Sequence, residues 1–72
     1  METAVQSSVE QLGQALQARR ETSIAIGIIM ERRRLDRQAA FEALRSQARS
    51  QRRRIHDVAA DIVNALDALN RA

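Results

Sequence analysis

Apolar residues in the first third of the chain are spaced alternately by four and three, as in a coiled-coil seam: Val5, Val9, Leu12 and Leu16. The same spacing crosses two polar positions and becomes apolar again at Ile26 and Met30. Fewer than two complete heptads are apolar, so the pattern favours helix pairing over a long coiled coil. We predict a first helix over residues 3–33 that dimerises through the four apolar residues.

The first break in this pattern falls in the stretch RRRLDRQAA. Asp36 is a good N-cap for a helix that begins at Arg37, and Leu35 can pack on Ala40 as a hydrophobic staple. A second helix over 37–49 is therefore predicted. Its apolar stripe consists of Ala40, Phe41, Leu44 and Ala48. Phe41 is the only aromatic residue and is interpreted as a core anchor.

Ser50 marks a second break and is the predicted N-cap of a third helix over 51–70. This segment has the strongest amphipathic pattern of the chain: Ile55, Val58, Ala59, Ile62, Val63, Leu66 and Leu69. Its first turn would hold the second arginine triplet (Arg52, Arg53 and Arg54). Cations at that position oppose the helix dipole, whereas a phosphate placed there would be bound by them.

Three helices joined by short loops predict an all-α, three-helix bundle whose extended N-terminal helix is able to form a coiled-coil dimer. Absence of proline agrees with this composition, and absence of cysteine excludes disulfides and thiolate metal sites. The longest uncharged run, residues 22–30, is far shorter than the roughly 20 residues of a membrane span. A cytoplasmic location is the expectation.

Positive charge is concentrated in the middle of the chain. All twelve basic residues are arginine, and residues 32–54 hold nine of them against two acids. The remaining residues carry three arginines against seven acids, which hides the basic segment behind a net charge of +3. Such asymmetry is the electrostatic pattern of a polyanion-binding surface, although most charged runs are simply solvated.

No combination of residues suggests catalysis. His56 is the only histidine, no nucleophile–base pair or metal constellation is recognisable, and the two glycines are isolated. We therefore expect a protein that is not an enzyme and needs neither metal nor cofactor. Gly27 is unusual inside an apolar helical segment, where it costs about 1 kcal/mol relative to alanine. Close helix packing and close approach of a ligand are both open explanations.

The segment AIGIIMERRRLDRQAAFEALRSQARSQRRRIHDVAADIV resembles the ANTAR domain, the family named for the AmiR and NasR transcription antitermination regulators. The resemblance covers residues 25–63 and rests on the spacing of the following residues: Ala25, Gly27, Ile29, Met30, Ala40, Phe41, Leu44, Arg45, Ala48, Ile55, Val58, Ala59, Ile62 and Val63. Two positions depart from it. Ile26 stands where many members have lysine, and the turn reads Arg34-Leu35-Asp36 instead of containing glycine or a small polar residue.

The resemblance implies a dimeric RNA-binding domain that stabilises paired hairpins in a nascent leader transcript against a terminator. Residues 1–22 would form the coiled-coil or linker part and residues 23–72 the RNA-binding domain, with a receiver or GAF sensor domain of two-component type as a possible N-terminal partner. On this interpretation the RNA-binding candidates are Arg45, Arg49, Arg52, Arg53, Arg54, Arg32, Arg33 and His56. The alternatives are a helix-turn-helix DNA-binding module and a coiled-coil adaptor.

Overall fold

The chain folds into three α-helices connected by two tight turns. The computed structural model describes the backbone of residues 2–71 and the side chains of residues 6–71. Helix α1 spans Glu2–Arg33, α2 spans Arg37–Gln51 and α3 spans Ile55–Arg71, and the described part of the chain contains no strand. Each helix contacts the other two. The predicted all-α, three-helix fold is confirmed.

The turn between α1 and α2 has the predicted cap. The Ala39 N–H donates to Asp36 Oδ1 at 2.8 Å, so the aspartate satisfies one of the free donors at the start of α2. At the end of α1, Arg34 adopts a left-handed conformation with φ of 52°, and the Leu35 N–H donates to the Met30 carbonyl at 3.2 Å. Leu35 then packs on the core, as the staple predicts.

The second turn differs from the prediction. Ser50 does not cap a third helix; it lies inside α2, where its hydroxyl donates to the Gln47 carbonyl at 3.2 Å. Helix α2 continues to Gln51 and ends because Arg52 is left-handed, with φ of 54°. The Arg53 N–H then donates to the Ala48 carbonyl at 2.9 Å, which closes the helix end in a Schellman motif. Helix α3 consequently begins at Ile55, four residues later than predicted.

Small side chains dominate the core of the bundle. Its buried members come from all three helices: Ala25, Ile29, Ala40, Leu44, Ala48, Val58 and Ala59. Alanine at four of these seven positions lets the helices approach closely, and Leu44 and Val58 fill the centre. Burial of Leu44 follows from its place on the predicted α2 stripe.

Two predictions about packing are corrected. Phe41 is only partly buried and is not among the described side chains that form or cover the core, so it is a peripheral residue rather than the anchor. Ile26 and Met30 pack against the core of their own chain. The apolar seam of α1 therefore does not continue through these two residues on the exposed side.

The N-terminal half of α1 projects from the bundle. A 32-residue helix is about 48 Å long, which matches the 49 Å longest dimension of the molecule. Every residue from 6 to 17 is exposed, including Val9, Leu12 and Leu16, whereas the Val5 side chain lies outside the described residues. No helix in the described chain has the length and apolarity needed to cross a membrane.

Candidate nucleic-acid interface

The arginines of the basic segment gather at the two ends of α2. The first triplet (Arg32, Arg33 and Arg34) ends α1 and stands beside the start of α2, whereas the second triplet follows the end of α2. Fifteen residues of helix separate the two groups by roughly 22 Å. The predicted candidates thus do not form one compact cluster: Arg32 and Arg33 lie at the opposite end of α2 from the others.

Arg45 and Arg49 lie one helical turn apart on the exposed side of α2 and extend the positive surface toward the second triplet. Arg45 Nη1 is 3.9 Å from Glu42 Oε1, and both side chains are more than half exposed. An ion pair of this kind contributes little and leaves the guanidinium accessible. Arg49 has no ion pair or side-chain hydrogen bond within residues 6–71.

Arg53 differs from its neighbours because its guanidinium is already hydrogen-bonded within the chain. It donates to the carboxylate of Asp61, to Gln51 Oε1 at 3.3 Å and to the Asp57 carbonyl at 3.4 Å. The hydrogen bond with Asp61 raises the pKa of Arg53 and lowers the pKa of Asp61. Arg53 therefore fastens the α2–α3 turn to the first two turns of α3, and its charge is already matched by an acid.

Arg52 and Arg54 shape the turn through their backbones and extend their side chains into solvent. Arg52 supplies the left-handed residue that ends α2, and the Arg54 carbonyl accepts from the N–H groups of Asp57 and Val58 at 3.1 and 3.2 Å. Their side chains form no ion pair with any described residue. Both remain available to an anionic partner.

The position of the second turn changes where its arginines stand relative to the helix dipoles. The second triplet precedes α3 rather than occupying its first turn, and it directly follows the carbonyl end of α2, where positive charge is favourable. The first triplet has the same relation to the end of α1. The carbonyl end of α2 thus offsets the unfavourable position of Arg54 at the start of α3, and the placement of these arginines supplies no independent sign of a bound phosphate.

His56 and Asp57 form the first turn of α3. The imidazole is partly buried, and Nε2 lies 3.5 Å from Asp57 Oδ1. His56 is close in sequence to the second triplet but is turned toward its own neighbour. The described residues contain no group of three or more histidine, cysteine, aspartate or glutamate side chains that could hold a metal ion.

Sequence reasoning missed three residues that belong to this surface. Arg34, the last member of the first triplet, and Arg37, at the start of α2, are both exposed. Asp61 fixes Arg53 from eight residues away along the chain. The charge of Arg34 and Arg37 was visible in the sequence, but the partnership of Asp61 depends on where α3 begins and had no local signal.

Comparison with known proteins gives one match. A family model described as the ANTAR domain matches residues 10–63, which is most of the chain and includes all of α2 and parts of α1 and α3. A search of curated proteins and a search of solved structures found no match.

Proposed function

The chain belongs to the ANTAR domain family, a family of regulatory RNA-binding antitermination modules, and from this membership we propose that it binds paired hairpins in nascent leader RNA. Binding would hold the leader in a form that excludes the terminator hairpin, so that RNA polymerase continues transcription. The family match carries this proposal. It also makes a regulatory protein, rather than an enzyme, the expected class.

The arrangement of charge supports RNA as the ligand. Exposed arginines stand at both ends of α2, roughly 22 Å apart, with Arg45 and Arg49 between them. Arginine binds phosphate oxygens in bidentate geometry, and two separated groups can contact two segments of a folded backbone. Within this surface we assign the strongest contacts to Arg49, Arg52 and Arg54, because Arg53 is held by Asp61.

A binding experiment tests the proposal directly. Affinity is measured by fluorescence anisotropy for a two-hairpin leader RNA, the same RNA with scrambled loops, and a DNA duplex of equal length. We expect tightest binding to the intact leader. Equal affinity for the scrambled RNA would contradict hairpin recognition, and preference for the duplex would instead support the helix-turn-helix alternative.

The contribution of single arginines is measured from the salt dependence of binding. Arg49→Ala should weaken binding to all leader variants and reduce the slope of log K against log salt by about 0.7–0.9. Arg71→Ala is the matched control, because it removes the same charge from the last turn of α3, at the opposite end of that helix from the second triplet. Identical slopes for the two variants would remove Arg49 from the interface.

The consequence for transcription is tested with purified RNA polymerase on a template that carries the leader and its terminator. Wild-type protein should increase read-through, and Arg49→Ala should require a higher concentration for the same effect. A terminator without the upstream hairpins serves as the control template. Read-through that rises equally on both templates would contradict the proposed mechanism.

The proposal includes a homodimer and a sensor domain as partners. Two hairpins suit a homodimer, and the exposed apolar residues of α1 offer a pairing surface. An N-terminal receiver or GAF domain would supply the signal, and a cytoplasmic location would give access to nascent RNA. Under the adaptor alternative, the same α1 surface would bind a protein partner and the arginines would have no measurable affinity for the leader.

A further inference from the structure

The ion pair of Arg53 and Asp61 lies where the basic part of the surface meets an acidic part. Helix α2 carries three arginines and one glutamate, whereas α3 carries three aspartates and one arginine. Arg53 stands in the turn between these helices. Its guanidinium donates to Gln51 Oε1 at the end of α2, and to the Asp57 carbonyl and the Asp61 carboxylate on α3. The acidic helix therefore holds one guanidinium of the second triplet.

Solvent reaches both partners of this pair. The Arg53 and Asp61 side chains are 39% and 60% exposed, and an ion pair between exposed side chains adds only modestly to stability. The turn is also closed by backbone hydrogen bonds, such as the one from the Arg53 N–H to the Ala48 carbonyl at 2.9 Å. The pair can thus be removed while the turn remains, and its larger effect is on the availability of the Arg53 guanidinium.

A phosphate would compete with Asp61 for the same donors. Carboxylate and phosphate oxygens both accept charge-assisted hydrogen bonds from a guanidinium. Arg49, Arg52 and Arg54 form no ion pair with any described residue, so a polyanion bound to them brings phosphates close to Arg53. Asp61 is already hydrogen-bonded there, and its charge repels a phosphate that approaches. The chain therefore supplies its own competitor for an anionic ligand at Arg53.

We propose that Asp61 keeps Arg53 unavailable to RNA and thereby lowers the affinity of this surface for polyanions. Asp61 acts through Arg53 and touches no RNA itself. With one phosphate contact fewer, the protein binds RNA less tightly than its arginine content would allow. A residue outside the basic segment thus helps to set the strength of RNA binding, a role that rests on the proposed function.

The opposite role for Asp61 would be to orient Arg53 for contact with RNA. The hydrogen bonds favour restraint over orientation. Nη1 donates to both Gln51 and Asp61, and Nη2 donates to the Asp57 carbonyl. The two terminal nitrogens form one of the edges with which arginine binds phosphate in bidentate geometry, and the chain already engages both of them. The carboxylate also matches the positive charge that would attract a phosphate.

Binding to a labelled polyuridine strand tests this role, because the strand offers phosphates without hairpins. Asp61→Asn should bind it roughly two- to fivefold more tightly. The slope of log K against log salt should increase by about 0.7, which corresponds to one further phosphate contact on a single strand. An unchanged slope, or weaker binding of Asp61→Asn, would overturn the proposal.

Asp67→Asn is the matched control for charge. It removes the same charge from an exposed position of α3, and Asp67 forms no ion pair with any residue of the described chain. Its salt slope should equal that of the wild type. A slope that increases equally for Asp67→Asn and Asp61→Asn would show a general effect of net charge and would overturn the specific role of Asp61.

Two further variants test whether the effect passes through Arg53. Asp61→Glu keeps a carboxylate within reach of Arg53 and should bind as the wild type does. Asp61→Asn combined with Arg53→Ala should lose the gain of the single variant; tighter binding that persists in the double variant would contradict the proposal. Circular dichroism during heating supplies a second readout. A purely structural role would make Asp61→Asn both less stable and weaker in binding, whereas the proposed role makes it less stable and tighter in binding.

The same variants measured on the two-hairpin leader separate this proposal from the proposed function. A gain of Asp61→Asn on polyuridine, with no preference of any variant for the leader, would contradict hairpin recognition and support the role of Asp61. A wild type that prefers the leader, with no gain for Asp61→Asn on either RNA, would support hairpin recognition and overturn the role of Asp61.

Discussion

Replacement of Arg52 by glycine should weaken RNA binding without the loss of stability that replacement by alanine causes. Arg52 ends α2 with φ of 54° and ψ of 42°, a conformation that L-residues adopt only at a cost. That cost is about 1–2 kcal/mol for a residue with a Cβ atom. Glycine removes this conformational cost. Glycine also lowers the free energy of unfolding by about 0.5–1 kcal/mol, because it increases the conformational entropy of the unfolded chain. Arg52→Ala is the matched variant, since it loses the same charge and keeps the strained conformation.

The expected difference follows from these two terms. Arg52→Gly should be more stable than Arg52→Ala by about 1 kcal/mol, which raises the melting temperature by about 4–8 °C in a domain of this size. Circular dichroism during heating and urea titration measure it. The two variants should lose the same RNA affinity and the same part of the salt slope, because both remove one guanidinium from the surface.

The sign of the difference is the decisive result. If Arg52 stood in the first turn of a helix that began at residue 51, as the sequence pattern indicates, glycine would weaken that turn relative to alanine. Arg52→Gly would then be the less stable variant. That result would refute the left-handed helix end and, with it, the assignment of residues 52–54 to a turn.

Three further predictions test the packing, the ion pair and the end of α1. Leu44→Ala should lower the free energy of unfolding by about 2–5 kcal/mol, because the side chain is fully buried. Phe41→Ala should lower it clearly less in the same urea titration. A larger loss for Phe41→Ala than for Leu44→Ala would show that Phe41 is a core residue. Asp61→Asn should destabilise the protein at pH 7. Since the folded pKa of Asp61 is lowered, the Arg53 pair stabilises the fold above the ordinary aspartate pKa and this advantage disappears as the pH falls through the folded value. The difference between Asp61→Asn and wild type should therefore shrink at pH 3, and a pH-independent difference would refute the ion pair. Arg34→Gly should raise the melting temperature as Arg52→Gly does, and an unchanged value relative to Arg34→Ala would contradict the left-handed end of α1.

The sequence predicted a helix boundary correctly where a residue close to that boundary determines it. Asp36 identified the start of α2 because an aspartate cap acts within three residues. Ser50 carried the same kind of signal and misled, because its hydroxyl bonds back to the Gln47 carbonyl inside the helix. The true end of α2 is a left-handed residue, and arginine occupies the position that glycine usually marks. No sequence rule identifies an arginine in that role.

The sequence alone predicted the positive charge of the candidate site but not its geometry. Nine arginines in residues 32–54 were evident from the sequence. Their division between two ends of α2, and the capture of Arg53 by Asp61, depend on the length of α2 and the phase of α3. Gly27 is a different case. Its presence in an apolar segment was conspicuous in the sequence, but only the structure shows that a Cβ atom at this position would meet no other atom of the described chain within 4 Å.

Continuity of α1 gives the domain a mechanical property. The helix is a single rod from Glu2 to Arg33, and only its second half is clamped by the bundle. Torque applied to the free arm is resisted first by Ala25 and Ile29, the two buried contacts of the clamped half. A twist large enough to repack them would turn the first arginine triplet relative to Arg49, because a helix transmits rotation along its axis. The rod thus connects whatever holds its free end to the orientation of the first arginine triplet relative to α2.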